Sequence, residues 1–293
     1  MADAVPSTPV PSSPARLVVQ HPSLTARAVD AFAQRAGGVP SQRGPGLAVW
    51  DAVDLDVAEV NALAEACQVD AALVPPQARL RDYRLLAFDM DSTLITIECV
   101  DEIADFAGRK AEVAAITEAA MRGEIADFDE SLRRRVALLA GLESDVLQRV
   151  FDERLRLSPG AEVLLEAARR LGLETLLVSG GFTYFTDRLK AQLKLDHTHS
   201  NTLEIERGRL TGRVIGPIVN AQAKAQALLD TCRLIGCEPV QAVALGDGAN
   251  DLRMMSLAGV SVAYRAKPMV RSRTTYAIDY CGLDALLNLL RPG

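Results

Sequence analysis

Histidine is scarce in this sequence, three residues in 293, and the five cysteines (Cys67, Cys99, Cys232, Cys237, Cys281) are odd in number with no Cys-x-x-Cys pair. The first scarcity leaves no convincing transition-metal site. His197 and His199, either side of Thr198, read as surface residues of a polar loop. The cysteine pattern argues against a disulfide framework and for reduced thiols, hence a cytoplasmic setting. No run of 18 apolar residues occurs, so nothing is expected to span a membrane. An excess of basic residues is missing as well. The formal net charge is -6, and no basic stripe is visible to neutralise a nucleic-acid backbone. The first fifteen residues, rich in Pro, Ser and Ala, lack the basic start and apolar stretch of a signal peptide and are expected to form a disordered tail. With 49% hydrophobic and 24% charged residues, the remainder has the composition of an ordinary soluble enzyme with one large domain or two smaller ones.

What is present is organised around Leu85-Leu86-Ala87-Phe88, an apolar run that reads as a buried strand. It ends in Asp89-Met90-Asp91-Ser92-Thr93. In open α/β sheets ligands gather beyond the carboxyl ends of strands, and residues two apart in extended chain face the same way. Asp89 and Asp91 can therefore address one bound group. A calcium loop would need Gly at its sixth place and Glu at its twelfth, where Leu94 and Val100 stand. An ordinary polar turn is the other plain reading of the pair.

Before this stretch, residues 16–79 read as a small α/β unit: strands at 16–20, 46–53 and 69–74, with helices at 23–35 and 57–67. It carries no cluster of chemically competent side chains. It could bind a ligand, hold two subunits together as a homodimer, or merely pack. After the strand, residues 95–157 are almost wholly helical in pattern (98–106, 110–121, 127–139, 144–155). Ser158-Pro159 then starts a fresh helix, and the rhythm becomes helix, strand, helix, strand. Helix 162–171 precedes strand 174–178, which ends in Ser179-Gly180-Gly181. A hairpin-like region turns at Arg207-Gly208. Helix 221–234 precedes strand 240–245, which ends in Gly246-Asp247-Gly248-Ala249-Asn250-Asp251. Short strands follow at 259–263 and 276–278. The alternation implies a largely parallel, Rossmann-like sheet with helices on both faces over residues 80–293, and the helical stretch that breaks it is expected to be a cap over the site.

Three strands thus end in polar residues. Asp89 and Asp247 offer hard oxygen ligands of the kind that hold magnesium beside a phosphate. Ser179 and the N–H groups after it can donate to phosphoryl oxygens, with Gly180 allowing close approach. Lys224, otherwise an unremarkable surface lysine, could balance a cluster of carboxylates and phosphate.

As a set, these residues resemble the haloacid dehalogenase superfamily. Asp89-Met90-Asp91-Ser92-Thr93 matches its D-x-D-x-T motif, Ser179 its second, Lys224 its third and Gly246 to Asp251 its fourth. Closer still is the phosphoserine phosphatase family, through Glu98, Ser131 to Val136, Val178 to Phe182, Asn220 to Lys224 and Ala263 to Pro268. One departure is that Met121 to Phe128 is a residue longer than the family pattern. The resemblance implies hydrolysis of O-phospho-L-serine, the last step of serine biosynthesis, through an aspartyl-phosphate with Mg2+ as cofactor. Asp89 would be the nucleophile and Asp91 the acid and base. Asp89, the Asp91 carbonyl and Asp247 would hold the metal, with Asp251 in support. Glu98 would meet the substrate amino group and Arg135 its carboxylate. Phe128 would line the pocket, and Ser179, Gly180, Lys224 and Asn250 would hold the phosphate. The N-terminal unit resembles, in outline, a degenerate amino-acid-binding-like domain. Transfer of the phosphoryl group to another acceptor, or action on another small phosphorylated amino acid or alcohol, would need nearly the same residues.

Overall fold

The computed structural model describes residues 14–122, 124–125 and 127–293. Most of the expected tail, residues 1–13, lies outside the described residues. In chain order the described elements begin with β1 (Ala15–Gln20), α1 (Ala26–Ala36), β2 (Gln42–Gly44), β3 (Leu47–Val53), α2 (Val57–Cys67) and β4 (Asp70–Val74). Next come β5 (Leu85–Phe88), α3 (Cys99–Phe106), α4 (Lys110–Met121), α5 (Phe128–Ala137), α6 (Asp145–Arg149), α7 (Ala161–Arg170), β6 (Glu174–Phe182) and α8 (Thr183–Leu193). The last are β7 (His197–Glu206), β8 (Arg209–Ile215), α9 (Ala221–Ile235), β9 (Ala242–Gly246), α10 (Leu252–Met255), β10 (Val260–Tyr264), α11 (Pro268–Arg271), β11 (Tyr276–Ile278) and α12 (Leu286–Leu289). The strand order is β2-β3-β1-β4 in a four-stranded sheet and β11-β10-β9-β5-β6-β7-β8 in a seven-stranded one. The larger sheet is parallel where β9 meets β10, β10 meets β11 and β6 meets β7, and antiparallel only in the β7–β8 hairpin among the pairings described.

The chain forms two compact units. The first holds residues up to 86, 159–174 and 237–293. Its four-stranded sheet is antiparallel, with β1 between β3 and β4. Local chemistry sets its helices: Thr25 and Asp56 cap the N-termini of α1 and α2, and Gly37 ends α1 in the left-handed conformation. Leu17, Val19, Phe32, Trp50 and Val60 make the core between sheet and helices. All six residues of β1 are buried, including Arg16 and Gln20. The other face therefore also meets protein. Arg16 donates to the carbonyls of Asn288 (3.4 Å) and Leu289 (2.7 Å), and Asn288 Nδ2 donates to Gln20 Oε1 at 2.8 Å. On β4, the Asp70 carboxylate accepts from the N–H groups of Asp279, Tyr280 and Cys281. Buried charges met this way escape the desolvation penalty of an unpaired group.

The second unit holds residues 87–158 and 175–236. After β5, helices α3 to α6 form the expected cap. The two chain segments that enter and leave it are tied together, with Thr96 N–H on Arg156 O at 2.9 Å and Ser158 N–H on Leu94 O at 2.9 Å. The segment expected as one helix at 144–155 is α6 followed by a wider turn at 150–154. The hairpin expected to turn at Arg207-Gly208 is present as β7 and β8. Residues 183–193, unassigned by the sequence pattern, form α8, whose buried Phe185, Leu189 and Leu193 recur every four residues. The structure corrects one expectation. His197 and His199 stand in β7, paired with Leu176 and Val178, and not in a loop. The β-prone Thr183-Tyr184-Phe185-Thr186 hides the helical spacing, and the polar run His197 to Asn201 hides the strand, because sheet pairing overrides local polarity.

Strand β6 also continues past its expected end at Val178. Its register with β7 passes from Val178↔His199 to Phe182↔Asn201, four steps on β6 against two on β7. Ser179, Gly180 and Gly181 thus lie opposite the single Ser200 of β7, an excess of two residues. A bulge of this kind lifts them out of the ladder and re-aims their polar groups.

Candidate active site

Asp89 follows β5 and is 5% exposed. Its Oδ1 accepts from Met90 N–H at 2.7 Å and from Lys224 Nζ at 2.6 Å. Lys224 is fully buried on α9, one turn from the N-cap, where Asn220 Oδ1 accepts from Gln222 and Ala223 N–H. The surface role that composition alone would assign to this lysine is thus excluded. A short hydrogen bond of this charge-assisted kind fixes the direction of the carboxylate.

Asp91 lies beside it, with Oδ1 accepting from Cys99 N–H at 3.2 Å. Burial, and then the nearby charge of Glu98, push its carboxyl up to about 7, against the pull of Cys99 and Lys224. The turn between Asp91 and Glu98 contains Ser92 in the left-handed conformation (φ 55°), an uncommon state for a residue other than glycine. From there Ser92 Oγ donates to Glu98 Oε1 at 2.7 Å. Glu98 stands at the N-cap of α3 but makes no capping bond. Its side chain keeps accessible surface and is exposed to solvent. Desolvation raises its carboxyl, while Ser92 and Arg135 lower it.

The arginine run on α5 divides by direction. Arg133 and Arg134 are exposed and pair along the helix with Asp129 and Glu130. Arg135 is turned inward. Its Nε is buried with no hydrogen-bond partner, and burial lowers its basicity while Asp101, Glu98 and Asp91 restore part of it. At the start of the same helix, Phe128 lies over Gly180, its Cζ 3.2 Å from where a Cβ on that glycine would stand.

Ser179 is fully buried, and its Oγ accepts from Gly181 N–H at 2.8 Å. A Cβ on Gly181 would meet Met90 Cε at 2.6 Å and both Asp91 Oδ2 and Ser179 Oγ at 2.9 Å. A side chain at Gly181 would therefore displace Met90, Asp91 or Ser179, and this is a position the sequence did not mark as part of the site. Asp101 was also missed. Its Oδ1 is buried without a partner, and its charge is felt by both Glu98 and Arg135. Its place three residues after Glu98 on a helix was the available signal.

The second unit therefore brings together Asp89, Asp91, Glu98, Phe128, Arg135, Ser179, Gly180 and Lys224. Asp247, Asn250 and Asp251 belong to the first unit, just after β9. There Asp251 is buried and accepts from Gly248 N–H at 3.0 Å, while its side chain fills the space a Cβ on Gly246 would need. Within the first unit Asp247 and Asp251 lie together, and within the second Asp89 offers the same kind of carboxylate oxygen. A donor set of carboxylate oxygens without His or Cys suits a hard divalent cation.

Residues 86–256 match the family of haloacid dehalogenase-like hydrolases. The chain belongs to that family, whose phosphatases generally use a divalent metal. Within it, the chain is 58% identical over 220 residues to a phosphoserine phosphatase from Polaromonas, covering 74% of this chain and 93% of the relative. A substrate-bound phosphoserine phosphatase structure superposes with a TM-score of 0.67 at 35% identity, covering 71% of this chain and 99% of the other. A haloacid dehalogenase family hydrolase from Salmonella enterica serovar Typhi matches 94% of this chain and 98% of its own, with a TM-score of 0.83 at 34% identity. No helix among the described residues is long and apolar enough to cross a membrane.

Proposed function

We propose that this protein hydrolyses O-phospho-L-serine to L-serine and inorganic phosphate, the last step of serine biosynthesis, through an aspartyl-phosphate on Asp89. The observation that carries the reading is Arg135: a half-buried side chain whose buried Nε has an unused N–H, set on the cap and within the field of Glu98 and Asp91. A phosphate site alone would need neither group. A substrate with a carboxylate and an ammonium needs both.

Asp89 attacks phosphorus in line with the serine oxygen. Its new bond to phosphorus forms as the ester bond breaks, and Asp91 delivers its proton to the leaving oxygen. Asp91, now a carboxylate, takes a proton from the water that attacks phosphorus and frees Asp89. A carboxyl poised at about 7 serves in both directions near neutral pH. Lys224 holds Asp89 in its attacking direction. Ser179, the Gly180 N–H and Asn250 bind phosphoryl oxygens, and Phe128 closes over Gly180. Magnesium held by Asp89, the Asp91 carbonyl and Asp247, with Asp251 in support, would supply positive charge that offsets repulsion between Asp89 and the phosphate dianion. The five free cysteines support a cytoplasmic setting.

The test is phosphate release over a panel of O-phosphoserine, O-phosphothreonine, O-phosphoethanolamine and glycerol phosphate, with magnesium and with a chelator. O-phosphoserine should have the highest kcat/KM, and the chelator should abolish turnover. Equal turnover of the carboxylate-free esters would reject the substrate assignment.

A further inference from the structure

We propose that Asn201, on β7, is a positioning residue that aims the Ser179 hydroxyl at a phosphoryl oxygen through the Gly180–Gly181 peptide. Asn201 is 1% exposed and belongs to none of the motifs that carry the family resemblance. Its Nδ2 donates to Gly180 O at 2.8 Å, and its Oδ1 accepts from Val219 N–H at 2.9 Å. A carbonyl on one side and an N–H on the other fix which end of the amide is which.

The bulge in β6 has removed Gly180 from the ladder, so a side chain from the neighbouring strand replaces the lost strand partner. The consequence follows from planarity. The peptide unit that carries the Gly180 carbonyl also carries the Gly181 N–H, and the two are rigidly opposed. Holding the oxygen fixes the N–H, and that N–H donates to Ser179 Oγ at 2.8 Å. A hydroxyl has one hydrogen and two acceptor sites. With one acceptor site occupied by Gly181, the Ser179 hydrogen is turned away from its own backbone. The space into which a Gly181 Cβ would project meets Ser179 Oγ and Asp91 Oδ2 at the same distance, 2.9 Å, so the hydroxyl and the proton donor border the same volume. The other end of Asn201 matters too. Val219 directly precedes Asn220, the cap of the helix that carries Lys224. One buried amide thus spaces the serine loop from the helix of the lysine.

This inference rests on the phosphatase reading, with Ser179 in the phosphate site. A double-mutant cycle tests it in the full chain with O-phosphoserine and magnesium. Asn201→Asp conserves volume and the acceptor for Val219, and sets an oxygen against Gly180 O. We expect kcat/KM to fall roughly tenfold to a hundredfold in the wild-type background, and less than about threefold when Ser179→Ala is already present, because the two residues act as one unit. The inhibition constant for inorganic phosphate should rise in parallel, while that for L-serine stays put. Equal losses in both backgrounds, or no loss in either, overturn the inference. If Asn201→Asp is not recovered folded, Asn201→Ser, too short to span both partners, goes through the same cycle, and the same two results overturn the inference. A wild-type protein that releases no phosphate from O-phosphoserine would instead reject the functional reading on which the cycle depends.

Discussion

Replacing Arg135 by alanine separates binding from stability, because this side chain has little to hold in the free protein. Its Nε has no partner, and burial weakens its basicity. Leaving a buried donor unsatisfied costs about 1–3 kcal/mol, so removing it returns part of what the lost packing of its stem takes away. Unfolding temperature should therefore change by no more than a few degrees in either direction. Binding behaves otherwise. A charge-assisted hydrogen bond is worth about 1.5–3 kcal/mol, and truncating one partner of a buried charge pair costs about 2–5 kcal/mol. At about 1.4 kcal/mol per decade, a loss near 3–4 kcal/mol lowers kcat/KM for O-phosphoserine by roughly 10²–10³, mostly through KM. O-phosphoethanolamine, which keeps the phosphate and ammonium but lacks the carboxylate, should lose less than about threefold. The assay is phosphate release on both substrates beside thermal unfolding of wild type and variant. Equal losses on the two substrates, or a drop of ten degrees accompanying them, would refute the reasoning.

Asp91→Asn removes both the proton donor and the base. Turnover should fall by about 10²–10⁴, and acid-quenched protein should carry labelled phosphate on Asp89 for longer than wild type. Absence of label in a slowed variant would count against the covalent step. Gly181→Ala places a Cβ against Met90 Cε, Asp91 Oδ2 and Ser179 Oγ, so activity should fall by at least about tenfold for a stability cost of about 1–3 kcal/mol, read from kinetics and denaturant melts. Retained activity would mean that the loop yields freely. Among the thiols, Cys281 and Cys99 are pushed above their ordinary range, by burial first and then by Asp70 and Asp91 respectively, so the reactive thiolate is rare at pH 8. Alkylation of the native protein, read by mass spectrometry, should mark the half-buried Cys67 and Cys237 first.

The small N-terminal sheet also gains a physical description. Arg16 and Asp70 would be costly in a unit that folds alone, since each finds its partners in residues 279–289 of the same compact unit. That placement accounts for a central strand buried on both faces, whereas an independent two-layer unit would leave one face of it wet.

Much of the site was legible along the chain because its signals are local. An apolar run followed by carboxylates marks a strand end wherever it occurs, and Asp89, Asp91 and Asp247 were found that way. Ser179 followed from the same logic, although the bulge that frees it did not, since a register shift exists only relative to β7. Lys224 read as a surface residue until its motif was considered, because helix position alone does not say which neighbour covers a side chain. In the run Arg133-Arg134-Arg135, the inward residue is the one four places after buried Ser131, a fact available only once that face of α5 is known to be covered. Asn201, Asp101, Arg16 and Asp70 left little or no mark in the sequence. Their meaning lies in carbonyls, N–H groups and charges supplied by other segments, up to 273 residues away in the case of Arg16. The order of residues by itself determined where strands end and which of them end in chemistry, because burial and extended geometry act over a few neighbours. Only the tertiary structure decided which polar groups are desolvated, which are left unpaired and which are held in one orientation, because those depend on what distant chain brings against them.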